Sequence, residues 1–466
     1  MTPSSGMDRR DLLRHGLIAG VGIAIPRVLA ADWRRILELA PDRPYLEAAL
    51  RAERWIRGTR CDATSLWAPV PPPGVDTFDR SALSLYHGAP GVILFYLELH
   101  GATGEQRFLD DAVRGAQALA AAAEAASDHD SGLYTGATGI AWILLEAHRA
   151  SGRDDLRASA RRIAERVASD AKVEGDAVWW SDSTDIVSGN AGILLGLLRL
   201  RELLGDRSLD LARRAGDALL SASVADAGGH RMWYYDRTVK PGPEARELPN
   251  FSHGTSGVAY ALATLSRNGG DRRHLDAALD GAEHLTALAV PSGDGTVIRH
   301  NSLPAGENLF YLSWCHGAPG TNRLWRRLHD IDGGARWITL EDRAASGVIA
   351  QGVPEQRTAG FWNNISMCCG NAGVAEYFLS RYRRSAQPTD LAYAKRHADD
   401  ALARATVDRD TERWIQAENR VSPAEVLAQT GWMQGAAGVG TMLLHMDAAV
   451  RARRWKRAVT LPDAID

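Results

Sequence analysis

Cysteine and lysine are the scarce residues of this chain. Four cysteines in 466 residues cannot form the framework of a fold this long, which excludes a disulfide-stapled scaffold. Only four of the 54 basic residues are lysine, and the net charge is -3. Arginine so closely balanced by acid reflects composition rather than phosphate recognition, and the chain is unsuited to be a strongly basic nucleic-acid binder. No persistent apolar/polar alternation marks long strands; at most Arg231 to Tyr235 and Val297-Ile298 are expected to make short hairpins. What is present is 45% hydrophobic and 24% charged, ample for a large core.

The chief ordering signal is a Gly-x-x-Gly motif that occurs seven times, opening at Gly88, Gly136, Gly189, Gly254, Gly317, Gly370 and Gly435. These first glycines fall 48 to 65 residues apart, room for two helices and their connections in each unit. Each pair opens a stretch apolar on nearly every face, such as Gly91 to Glu98 or Gly192 to Arg199, and a helix apolar all round is a buried one. Pro90 and Pro319 stand just inside the expected helix starts. Between these stretches lie amphipathic segments, Leu156 to Val167, Leu209 to Leu220 and Leu275 to Leu288 among them. Buried helices alternating with amphipathic ones predict an all-α fold, an α/α toroid of seven inner and seven outer helices, whose pre-glycine loops gather at one end. The longer connectors 61 to 80, 226 to 250, 292 to 312 and 406 to 430 are expected at the rim.

The N-terminus carries a different signal. Arg9-Arg10, the short apolar run Gly16 to Ile25 and the small-residue site Val28 to Ala31 read as a twin-arginine export signal over residues 1–31, with the barrel domain over 32–466 and Met7 as a possible start. The expected location is extracytoplasmic, with membrane contact only through that signal; a cytoplasmic location is the alternative. The run is too short to span a bilayer as a mature helix.

Three of the four cysteines fall on the repeat turns, in Trp314-Cys315-His316-Gly317 and Cys368-Cys369-Gly370, while Cys61 stands apart in a connector. Cys315 and Cys368 hold the same place, two residues before the glycine, on neighbouring units. Adjacent side chains diverge on a regular helix, but an irregular turn before one can aim Cys368 and Cys369 inward together. Three soft ligands with one open position match a catalytic Zn2+ site, although a single buried cysteine is more often plain packing. His316 competes with Cys369 as third ligand.

With these motifs the chain resembles the lanthionine synthetase C-like (LanC-like) family over about residues 45 to 445, as a standalone member with a Cys-Cys-Gly variant of the zinc motif. The resemblance implies an α/α toroid, one zinc, and addition of a cysteine thiol to dehydroalanine or dehydrobutyrine in a peptide, forming a thioether ring. Carried over by motif, Cys315 and Cys368 match the first two zinc ligands, and Cys369 stands where many members have histidine. His253, in Ser252-His253-Gly254, matches the residue that protonates the enolate, and Asp185 the one that orients its imidazole. The partner implied is a dehydrated peptide or protein, with a small thiol such as glutathione as a possible second substrate. Two departures stand out: Tyr311 replaces an arginine four residues before the first zinc cysteine, and His316 a tyrosine just after it. Outside the resemblance, an α/α barrel also suits a carbohydrate-active enzyme, for which Asp182 and Asp185 would be the carboxylates, or a non-catalytic zinc-stabilised peptide-binding module with a closed site.

Overall fold

A computed structural model describes residues 43–70, 80–126, 130–306, 308–356, 364–415, 427–451 and 455–464; the export-signal segment 1–31 lies outside them. The fold is an α/α toroid. Its inner helices are α2 (Ala89–Thr103), α4 (Ala137–Ser151), α6 (Asn190–Arg199), α9 (Thr255–Arg267), α11 (Ala318–Asp332), α13 (Asn371–Ser385) and α15 (Ala436–Arg451). Each begins directly after the first glycine of a motif. Its outer helices are α1 (Pro44–Arg57), α3 (Gln106–Ala125), α5 (Asp154–Ser169), α8 (Asp206–Ser221), α10 (Arg272–Leu288), α12 (Ala335–Ala350) and α14 (Pro388–Ala403), with a one-turn α7 (Arg201–Leu204) in the third unit. Most outer helices pack on the inner helix that precedes them, but α1 packs on α15. The segment before the first motif therefore supplies the seventh outer helix, and α2 against α15 closes the ring.

The motif glycines are required by close approach. A Cβ on Gly139 would strike the carbonyl of Leu133, and one on Gly320 the carbonyl of Trp314, in each case six residues upstream. Only a hydrogen there lets the turn fold back on the helix it starts. The turns are then stitched together by a circle of backbone hydrogen bonds. Tyr86, Tyr134, Ser252, Cys315, Cys368 and Met433 each donate N–H to the carbonyl of the corresponding residue in the next unit, at 2.8 to 3.0 Å. In the third unit Val187 accepts, while Ile186 donates to Ser252 at 3.2 Å. Seven chain segments thereby meet with their peptide groups satisfied although buried.

Among the described residues, four two-stranded antiparallel hairpins decorate the outer layer: β1 (Lys172–Glu174) with β2 (Ala177–Trp179), β3 (Val224–Ala225) with β4 (Arg231–Met232), β5 (Ala289–Ser292) with β6 (Gly295–Ile298), and β7 (Thr406–Asp408) with β8 (Thr411–Arg413). The second and third contain the expected short strands. Just after β2, β4 and β8, Trp180, Trp233 and Trp414 donate indole N–H to Val167, Leu219 and Ala401 at 2.7 to 2.8 Å. Each thereby bonds a carbonyl in the last turn of an outer helix, where intrahelical partners run out; that of Ala401 also accepts from the N–H of Arg404 at 3.2 Å.

The inner helices depart from a uniformly apolar reading in one respect. Although α2 is buried continuously from Ala89 to Leu99, α11 carries Arg323 and Arg327, α13 carries Glu376, and α15 carries His445. Arg323, Glu376 and His445 meet residues 455–464, which run back from the end of α15, through Asp463, Arg457 and Trp455, while Arg327 donates to the Tyr260 hydroxyl of α9 at 3.2 Å. Among the described residues, no helix is long and apolar enough to cross a membrane.

Candidate metal centre

All seven inner helices start at the same end, so the partial positive charge of seven helix N-termini converges there and favours anionic sulfur. Cys315 and Cys368 belong to the backbone circle, and Cys369 directly precedes the glycine that caps α13. The irregular turn turns both adjacent thiols the same way: Cys369 Sγ lies 3.4 Å from Cys368 Sγ and 3.2 Å from Cys315 Sγ. All three are buried, with their sulfurs within 4.8 Å of one another. Tetrahedral zinc with Zn–S of about 2.3 Å needs S···S edges of about 3.8 Å. The cluster is therefore within a small adjustment of a metal site, and its chemistry suits a thiophilic ion.

Electrostatics divide the three sulfurs. Burial opposes a thiolate at Cys368, but hydrogen bonds from Cys315, Cys369 and Tyr86 and the charge of His253 outweigh it and hold Cys368 well below the ordinary thiol range. The Tyr86 hydroxyl donates to its sulfur at 3.0 Å and accepts from Gln434 at 2.9 Å. Hydrogen bonding with Cys315 and Cys368, burial and repulsion from those sulfurs push Cys369 up. One negative charge is thus favoured where a second is not, until a divalent cation inverts the balance.

Beside the sulfurs lies an imidazole–carboxylate pair. His253 follows Ser252, whose N–H is bonded to the Cys315 carbonyl. Its Nδ1 is 2.6 Å from Asp185 Oδ2. The other oxygen of Asp185 accepts from the N–H groups of Ser188 at 2.8 Å and Gly189 at 2.7 Å, so this fully buried carboxylate is fixed on the turn before α6. Burial disfavours the imidazolium, but the hydrogen bond and charge of Asp185, with Cys368, outweigh it and raise His253 above its ordinary value. The His253 side chain remains one-third exposed, open to the mouth.

The family model for lanthionine synthetase C-like proteins matches residues 81–460. The chain belongs to the lanthionine synthetase C-like family. Among solved structures this LanC-like chain is similar to nisin cyclase, at 14% identity and a TM-score of 0.62, covering 90% of this chain and 94% of that one. A GH76 α-mannanase of Bacteroides thetaiotaomicron shares the barrel at 11% identity and a TM-score of 0.50, covering 89% of this chain and 98% of that one. At these identities the likeness is one of fold. No curated protein matches the sequence significantly.

In this LanC-like chain the residues singled out by sequence converge: Cys315, Cys368 and Cys369 on one another, and His253 on Asp185. His316, the competing ligand, lies to the side. Its Nε2 faces Ser252 Oγ at 3.4 Å, and its ring packs against His300 at 4.3 Å and Tyr311 at 5.5 Å between centroids. Tyr311, in the place of the family arginine, stacks on His300 at 4.0 Å. Arg246 from the 226 to 250 connector donates to His300 at 3.2 Å. Asp182 is exposed and paired with Arg237 at 2.9 Å, an environment unlike that of Asp185. Sequence reasoning missed Tyr86 and Gln434, which share the motif positions of the cysteines and were open to discovery on that ground. It also missed His300 and Arg246, which sit in irregular connectors with no periodic signal.

Proposed function

We propose that this protein joins a cysteine thiol to a dehydroalanine or dehydrobutyrine residue of a peptide, forming a thioether, with Cys315, Cys368 and Cys369 holding a Zn2+ ion. The observation that carries the reading is three buried sulfurs clustered at one end of a LanC-like toroid, beside a His253–Asp185 pair whose imidazole is one-third exposed. Nisin cyclase, by its name a cyclase, supports the choice of a peptide substrate. A Zn2+ ion held by these three cysteines would supply the Lewis acidity that makes a substrate thiol acidic.

The protein groups do the rest. Three cysteine thiolates leave an electron-rich environment for the incoming sulfur, and Tyr86 holds Cys368 in place through its hydroxyl. When sulfur bonds to the β-carbon, the alkene electrons move into the adjoining carbonyl and an enolate forms. His253 delivers the proton that the α-carbon needs, through Nε2, because Nδ1 is held by Asp185. The proton released by the thiol passes to solvent and an equal proton is taken back by His253, so atoms balance and the addition needs no oxidant or reductant.

The test is metal analysis of the purified chain together with an assay on a peptide carrying both cysteine and dehydroalanine. About one zinc per chain is expected, as for a single three-cysteine site, lost in Cys315→Ala, Cys368→Ala and Cys369→Ala and kept in His316→Ala. Thioether formation should follow the metal. A metal-free wild type would sink the mechanism. Addition of glutathione but not of the peptide's own cysteine would replace cyclisation with small-thiol transfer.

A further inference from the structure

We infer that Asp463, carried into the toroid by residues 455–464, is a positioning residue for the three-cysteine centre. The inference rests on reading those sulfurs as a metal site. It arises from the end of the chain, which no step of the reaction uses.

The segment lies on the toroid axis. Ala458 and Val459 donate their N–H groups to Glu98 of α2 at 3.0 Å, and Arg457 pairs with Glu376 of α13 at 2.8 Å. Trp455 lies 4.7 Å from the ring of His445 in α15, and the Ala464 carbonyl accepts from Tyr260 of α9 at 2.9 Å. Helices from different sides of a ring can be touched together only from its centre. Between this segment and the inner helices remains a cavity of about 60 Å³, room for little more than water. Arg323 of α11 and Glu376 of α13, foreign to an apolar inner wall, are thereby matched in charge by Asp463 and Arg457.

Asp463, fully buried, ends this path directly beneath the backbone circle. Its carboxylate accepts from the Tyr134 hydroxyl at 3.0 Å and the Trp314 indole at 3.1 Å, and pairs with Arg323 at 3.3 Å. Trp314 directly precedes Cys315. Tyr134 belongs to the circle itself, and its carbonyl accepts from the N–H of Tyr86, whose hydroxyl holds the Cys368 sulfur. One carboxylate therefore braces both sides of the cysteine cluster without touching a sulfur. Groups that orient metal ligands from behind commonly set affinity by one or two orders of magnitude.

The test uses the full chain, Co2+ as probe and two readouts. In Asp463→Ala, Co2+ affinity read from thiolate-to-cobalt absorption should fall roughly tenfold, and in the metal-free chain iodoacetamide should alkylate Cys315 severalfold faster. Asp463→Asn, which keeps an acceptor, should fall between. Tyr260→Phe frees the Ala464 carbonyl without touching the circle and should change neither readout. If Asp463→Ala fails to fold, Tyr134→Phe, which removes only the hydroxyl that donates to Asp463, should show the same direction of change. Should Asp463→Ala match Tyr260→Phe in both readouts, the inference is overturned. A wild type that takes up no Co2+ would refute the metal reading alone, and the alkylation rates would then decide whether Asp463 positions Cys315.

Discussion

The turn before α4, Tyr134-Thr135-Gly136, and the turn before α11, Cys315-His316-Gly317, are built alike. Each opens an inner helix after a glycine that caps it, places its second glycine against a carbonyl six residues upstream, and takes part in the same circle of backbone hydrogen bonds. Only the two side chains before the first glycine separate a packing turn from a chemical one. Tyr134 sends its hydroxyl inward to Asp463, whereas Cys315 meets two other sulfurs. The backbone of the repeat and the chemistry it carries are thus separable: glycines and helix N-termini provide the scaffold at all seven turns, and a few positions are spent on function.

The sharpest way to break the comparison is at the position directly before the glycine. His253→Gln should slow thioether formation by roughly 10²–10⁴-fold with metal content unchanged, while Thr135→Val, at the same position of another turn, should leave the rate within about twofold; equal losses in both would remove His253 from proton transfer. A smaller effect tests the shared scaffold. Gly139→Ala and Gly320→Ala should each lose roughly 3 kcal/mol in denaturant unfolding, because both force a methyl group onto a backbone carbonyl, but only Gly320→Ala should also weaken metal binding.

The smallest effect contrasts the metal end with the buried charges deeper in the toroid. Burial disfavours a charged His445, yet Glu376 and Glu98 push it up to about 9. Burial likewise opposes ionisation of Glu376, yet His445 and Arg457 hold it down to about 2. A raised imidazole adds stability that is complete below its unfolded value and lost as pH rises through the folded one. The advantage of wild type over His445→Gln should therefore shrink, on the order of 2 kcal/mol, between about pH 6.5 and 9. Glu376 contributes with the opposite sign, its share fading as pH falls toward 2. Melting curves across the range check both, and an advantage of wild type that grows toward pH 9 would remove the charged His445.

Much of this was legible in the chain. Spacing located every inner helix, because each begins at a glycine that nothing larger can replace, and amphipathic periodicity located outer helices such as α5, α8 and α10. The three cysteines were legible as a group because they share repeat positions. The pairing of α1 with α15 was not, since nothing in a helix says which partner, four hundred residues away, will bury its apolar face. Nor were the hairpins β1–β2 and β7–β8, where charged residues such as Lys172, Glu174, Asp408 and Arg413 read as solvated surface.

The sequence by itself determined the repeat, the toroid and the residues capable of chemistry, because glycine placement and hydrophobic periodicity act locally and recur in every unit. Only the tertiary structure decided which of those residues meet. It placed His316 among aromatic rings, added Tyr86 to the sulfurs, and brought Asp463 under them from more than ninety residues beyond Cys369. Such contacts depend on closing a ring, and ring closure fixes distances between segments that share no local signal.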